Sequence, residues 1–130
     1  MIAIFPCRMN PPHLGHILTL LRIKDDYDKI IVALSDYDFG GKKPPVMTME
    51  ERLAIIKSIL KYFPQFETIE FEGAFRQRTD FSDLPEFDIV VTGSKGVYEN
   101  VVKQNLKARL IERTPFYRGE NIRRAMRNKI

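Results

Sequence analysis

Apolar residues along this chain fall into short unbroken runs that alternate with stretches of helical spacing. Residues 2–5 (Ile-Ala-Ile-Phe) make a β-rich run that Pro6 stops. Apolar side chains at 14, 17, 18, 20, 21 and 23 predict a mostly buried helix over 14–23. Residues 29–34 read as a buried strand, and 36–47, with Gly40-Gly41 and Pro44-Pro45, as a loop. A second helix is predicted over 48–63, with Thr48 as N-cap, Glu51 at the capping-box spacing and apolar positions 53, 55, 56, 59, 60 and 63; Pro64 stops it. Residues 68–71 alternate as a strand, 73–86 are polar and irregular, and 87–92 form an apolar strand closed by Gly93. A helix over 97–106, a strand over 108–111, a loop through Pro115 and a last helix from about Glu120 complete the pattern.

Strands alternating with helices at this spacing predict parallel βαβ units in a doubly wound α/β sheet. Continuous apolar strands such as 29–34 and 87–91 suit a sheet covered by helices on both faces. Ligands of such sheets sit beyond the carboxyl ends of the strands, where the strand order reverses. The loops after residues 5, 34 and 91 are therefore where chemistry is expected.

Composition narrows the class. The 130 residues suit one domain, and 44% hydrophobic content supports a continuous core. A single cysteine excludes an internal disulfide framework, and no apolar run approaches the roughly 20 residues of a membrane span. The opening Met-Ile-Ala-Ile-Phe-Pro has no basic lead, so a soluble cytoplasmic protein without a membrane association is expected. Charge is uneven: residues 103–130 hold nine Lys or Arg against two Glu, a net +7, whereas residues 1–102 hold twelve bases and fifteen acids, a net −3. A basic end of this kind suits a polyanion, either nucleic acid or a nucleoside triphosphate; a solvated basic helix is the plainer alternative.

The loop after the first strand carries the strongest chemical signal. It reads Pro6-Cys7-Arg8-Met9-Asn10-Pro11-Pro12-His13-Leu14-Gly15-His16, and it holds both histidines of the chain. Residues three apart at a helix start share a face, and Gly15 between them lets a ligand or backbone come close. The unpaired N–H groups of a helix N-terminus favour an anion, and two imidazoles add donors that follow charge developing on a phosphate. The plainer alternative is that both rings merely cap the helix and Gly15 is incidental. A metal site is not expected, since no Cys, third His or close carboxylate completes one. Cys7 reads as a small buried hydrophobe at a strand end, not a nucleophile.

Pro11-Pro12-His13-Leu14-Gly15-His16 resembles the H-x-G-H signature of the nucleotidyltransferase superfamily, which includes adenylyltransferases for nicotinamide mononucleotide (NMN) and phosphopantetheine, and the small cytidylyltransferases. The lead-in from Arg8 is most similar to that of archaeal-type NMN adenylyltransferases, with Cys7 in place of their usual Gly and Met9 in place of Phe. Thr48-Met49-Glu50-Glu51-Arg52 resembles the segment opening the second helix, which carries a family arginine; the residue spacing places Arg52 opposite the apolar stripe, available to a substrate phosphate. Phe87 to Ser94 resembles the strand end where a glycine, here Gly93, lets nucleotide approach the backbone. Residues 113–126 stand where the second signature lies: Tyr117, Gly119, Ile122, Arg123 and Arg124 match the archaeal form, while Arg118 and Glu120 replace its hydroxyl residues.

The resemblance implies a Rossmann-like five-stranded parallel sheet and transfer of the adenylyl group of ATP, with its Mg²⁺, to a phosphate-bearing acceptor, NMN first. It implies that His13 and His16 hold the triphosphate and its transition state, and that Arg123 grips the outer phosphates. Arg8, Arg52 and Arg118 are then secondary phosphate or substrate contacts, and Asn10, Gly15, Gly93 and Gly119 belong to the nucleotide site. Chain length and Arg113-Thr114 equally suit a minimal cytidylyltransferase using CTP and a small phosphorylated alcohol such as glycerol 3-phosphate. A nucleotide-binding regulator that has lost catalysis is a further alternative. A nucleic-acid module is disfavoured, because only Phe116 and Tyr117 stand in the basic end as stacking residues. Homo-oligomer formation is left open.

Overall fold

The computed structural model describes residues 1–37, 41 and 46–112. Strands β1 (Ile2–Cys7), β2 (Lys29–Ser35), β3 (Phe66–Phe71), β4 (Ile89–Thr92) and β5 (Ala108–Leu110) form one parallel sheet in the order β3-β2-β1-β4-β5. Helices α1 (Leu14–Ile23), α2 (Met49–Leu60) and α3 (Lys95–Lys103) lie between successive strands. The predicted α/β class, the parallel pairing and the five strands are what the structure shows. The direction of winding reverses between β1 and β4, which places the switch point at their carboxyl ends.

Side chains of the two sheet faces build two cores, because successive strand residues point to opposite sides. Ala3, Phe5, Ile30, Val32 and Leu34 pack with Leu20 and Ile23 of α1 and with Ile56 and Leu60 of α2. Ile4, Ile31, Ala33 and Val90 pack on the other side with Val97 and Val101 of α3 and with Phe71 and Phe75. All the residues of both sets are buried, which accounts for strands that read as unbroken apolar runs.

The element boundaries moved in physically interpretable ways. β1 continues through Pro6, which stands opposite Ala33. On the other side β1 pairs with β4 only at Ala3 and Ile4, so the residue lacking an N–H lies past those rungs. α2 has the predicted Thr48–Glu51 capping box but ends at Leu60, three residues early, as the chain turns ahead of Pro64. α3 starts two residues before its first apolar position, because the Ser94 hydroxyl caps it by accepting from Val97 N–H. It ends in a Schellman turn: Asn105 takes φ +62, its N–H donates to Val102, and Leu106 N–H donates to Val101.

Residues 72–88 cross from β3 to β4 without a helix other than one short turn at Phe75–Gln77. A chain of phenylalanines covers the sheet there: Phe71 to Phe75, Phe75 to Phe81 and Phe81 to Phe87 have ring centroids 5.6, 5.5 and 6.1 Å apart. The polar reading of 73–86 overlooked Phe75 and Phe81, which stand six residues apart among polar and irregular neighbours. The backbone is satisfied by side chains instead. Asn100 Nδ2 donates to Phe75 O (3.0 Å) and Arg78 O (2.9 Å), and Gln104 Nε2 also donates to Arg78 O (2.9 Å). Past β5, Arg22 Nη2 on α1 donates to Glu112 O (2.8 Å).

Candidate active site

The carboxyl end of β1 runs into the histidine loop, and the carboxyl end of β4 runs into Gly93 and the Ser94 cap of α3. These two loops flank the switch point. Thr92, buried, orders the second of them: its Oγ1 accepts from Ser94 N–H (3.0 Å), and its carbonyl accepts from Ile111 N–H (2.9 Å).

His13 is the N-cap of α1, with extended backbone at φ −145° and ψ 173°. Its Nδ1 accepts from Gly15 N–H (3.1 Å), and its own backbone N–H donates to Nδ1 of His16 (3.2 Å). The pair thus makes a capping box from imidazoles, where Ser or Thr with Glu is the usual pairing. The two rings stack with centroids 3.7 Å apart and planes 26° apart. The capping function that the sequence offered as the plainer alternative is present, and it has a chemical consequence. A neutral imidazole that accepts at Nδ1 carries its proton on Nε2, so both rings are set in the same tautomer with an Nε2–H donor. Gly15 is buried within this first turn, and its carbonyl accepts from the Thr19 hydroxyl (2.8 Å).

Arg52 is placed differently from expectation. It lies on the same helix face as Ile56 and Leu60, with no exposed side-chain surface, and not opposite the apolar stripe. Its Nε donates to Thr48 O (3.3 Å), its Nη1 to Arg8 O (2.9 Å) and Ser35 O (3.2 Å), and its Nη2 to the exposed Asp36 carboxylate. Burial holds the guanidinium below its ordinary pKa. The physical reason for the miss is that hydrophobic periodicity counts a charged side chain as solvent-facing, whereas carbonyls at strand ends can satisfy a buried guanidinium. The positions 52, 56 and 60, each four apart, were the available signal.

Asn10 is also buried. Its Oδ1 accepts from Val46 N–H and Met47 N–H, each at 3.0 Å, so it bridges the histidine loop to the approach to α2. Met9, at φ +49, buries its side chain in the α1–α2 core. Cys7 packs against that core, and its thiol reaches Phe5 O (3.7 Å) and Ala33 O (3.6 Å). Burial pushes this thiol far above its ordinary range, with the Arg52 charge opposing, which agrees with a structural Cys7 and not a nucleophile. Sequence reasoning missed Ser35 and Asp36 at the end of β2: the Ser35 hydroxyl donates to Gly73 O (2.7 Å) and accepts from Tyr37 N–H (3.1 Å).

The structure therefore brings together Arg8, Asn10, His13, Gly15, His16 and Arg52 around one loop, with Gly93 following the neighbouring strand of the sheet. Arg118, Gly119, Glu120 and Arg123 lie outside the described residues. Among the described residues no three of His, Cys, Asp or Glu stand together as a metal set, and no helix is long and apolar enough to cross a membrane. Two N–H-bearing imidazoles at a helix N-terminus form a donor set for an anion.

The chain is 36% identical over 72 residues to a phosphopantetheine adenylyltransferase of Carboxydothermus hydrogenoformans, covering 55% of this chain and 43% of that one. It is 28% identical over 127 residues to a nicotinamide-nucleotide adenylyltransferase of Sulfolobus acidocaldarius, covering 90% and 70%. The chain spans about half the length of the curated phosphopantetheine adenylyltransferases it matches. A crystal structure of a bifunctional NMN adenylyltransferase/ADP ribose pyrophosphatase from Francisella tularensis superimposes with a TM-score of 0.75 over 99% of this chain and 42% of that one, at 16% identity, which establishes a shared fold. A sequence model of the cytidylyltransferase-like family matches residues 4–125, nearly the whole chain. The chain belongs to the cytidylyltransferase-like family.

Proposed function

We propose that this chain is an adenylyltransferase that joins the adenylyl group of ATP to a small phosphate-bearing acceptor, with NMN the first candidate. The acceptor phosphate oxygen attacks the α-phosphorus in line, the bond from that phosphorus to the bridging oxygen breaks, and pyrophosphate leaves with the electron pair. No covalent enzyme intermediate is needed, so the work is positioning and charge stabilisation. The observation that carries the reading is the stacked His13–His16 pair capping α1 beside the switch point, with both Nδ1 atoms accepting backbone N–H groups. Nε2–H donors strengthen as negative charge builds on the phosphate oxygens, and they need no reorganisation because the backbone already fixes the ring tautomers. The helix N-terminus adds its N–H groups and positive potential. A divalent cation such as Mg²⁺, carried by the nucleotide, would neutralise the triphosphate. Arg118 and Arg123 supply further positive charge from the carboxyl-terminal signature.

NMN is preferred over phosphopantetheine because the likeness to the Sulfolobus protein runs over 90% of this chain, against 55% for the Carboxydothermus protein. The test is pyrophosphate release with ATP and CTP crossed against NMN, phosphopantetheine and glycerol 3-phosphate. The expected result is turnover with ATP and NMN and strong discrimination against CTP, because a site that hydrogen-bonds one base edge leaves polar groups unpaired with the other. Preference for CTP with glycerol 3-phosphate would move the protein to the cytidylyltransferases. Nucleotide binding without turnover on any pair would make it a regulator.

A further inference from the structure

We infer that Arg52, assisted by Asn10, is a positioning residue that sets the geometry of the histidine pair, a role that rests on the nucleotidyl-transfer reading above. Arg52 joins three chain segments that are remote in sequence. Its guanidinium holds the carbonyl of Arg8, just past β1, the carbonyl of Ser35, the last residue of β2, and the carbonyl of Thr48, the cap of α2. The Asp36 carboxylate balances its charge. A wholly buried guanidinium is a costly choice for a helix face otherwise made of Ile56 and Leu60, where an apolar residue would serve packing as well. What an apolar residue lacks is the fork of donors that can hold separate carbonyls at once.

Asn10 ties the same loop in the opposite direction, accepting from the two backbone N–H groups that precede the α2 cap. The loop is thus held at Arg8 by its carbonyl and at Asn10 by its side chain, and the next fixed point is His13 itself. The rings' donor geometry depends on where His13 enters α1, and misplacement by about 1 Å can cost on the order of 10²-fold in rate. Arg52 acts on the reaction through the loop backbone and not as a phosphate ligand.

Arg52→Lys keeps the charge and gives up the fork, so it tests this directly. Pyrophosphate-release kinetics and imidazole nitrogen NMR spectra of His13 and His16 should be recorded for the intact protein and the variant. The expected result is kcat lower by at least about tenfold, KM for ATP within about threefold, and loss of the fixed Nε2–H tautomer pattern. A raised KM at unchanged kcat would make Arg52 a direct substrate contact and overturn the inference, as would unchanged kinetics and spectra. If Arg52→Lys does not fold, Asn10→Ser removes the second tie, and an unperturbed imidazole spectrum there overturns the inference equally. The spectra decide the positioning role even if the unaltered protein turns over none of the tested pairs, in which case it is the nucleotidyl-transfer reading that fails.

Discussion

Two irregular stretches of this chain are held by nearly the same kit of side chains and serve opposite ends. In the histidine loop, an arginine paired with an aspartate (Arg52 with Asp36) and a buried asparagine (Asn10) satisfy the backbone. In the 72–88 crossover, Arg78 with Asp83 and the buried Asn100 do so. The difference lies in reach. Arg78 Nη2 donates to Glu72 O (3.1 Å) and its Nη1 to Asp80 O (3.2 Å), all within six residues, whereas Arg52 contacts residues up to 44 positions away. The crossover is tied within itself by Arg78 and to α3 by Asn100 and Gln104, and phenylalanine rings fill the remaining space. The histidine loop is tied by Arg52 to the ends of β1 and β2, and it presents two stacked imidazoles at the start of α1. The crossover's arginine ties it to itself while its asparagine anchors it to α3; the arginine of the histidine loop ties together segments that meet only when the strands are in register.

This contrast predicts stability losses on one side and rate losses on the other. The largest effect is expected at Phe75, buried and in contact with Phe71 and Phe81: Phe75→Ala should cost about 3–5 kcal/mol in chemical denaturation. The fraction still folded should keep its kcat, and a lower kcat there would break the division. His16→Ala should lower kcat by roughly 10²–10³-fold, the range for one oxyanion-type donor. Its stability loss should stay near about 1 kcal/mol, that of a helix cap. Full turnover in that variant would remove the role assigned to the ring.

Asn100→Leu is expected to cost about 1–3 kcal/mol, since the Phe75 carbonyl loses the side-chain donor that satisfies it, with KM and kcat unmoved. The smallest effect sharpens the comparison through pH. The Arg78 hydrogen bond holds the Asp83 carboxyl below its ordinary value, and hydrogen bonds from Ser82 do the same for Asp80. A depressed carboxylate contributes stability that is present above its unfolded value of about 3.9 and is lost as pH falls through the folded value. Denaturation midpoints should therefore hold steady from pH 7 to about 5 and fall below about pH 4, with Asp83→Asn flattening part of that fall. A variant curve parallel to that of the unaltered protein would show that this exposed pair contributes nothing.

Residue pattern alone determined the α/β alternation, the parallel sheet, the capping box at Thr48 and the helix start at His13–Gly15–His16, because each follows from the spacing of residues along the chain. Periodicity reports which way a side chain faces in its own helix or strand, and a capping motif spans four residues. Only the tertiary structure decided that Arg52 is buried, that Asn10 bridges to Val46 and Met47, and that rings six apart in sequence line one face of the sheet. Those outcomes depend on carbonyls and amides that come together only after β1, β2 and α2 have packed. A charged or polar residue read in isolation is assigned to water, and it is the unpaired backbone at the strand ends that draws it inside.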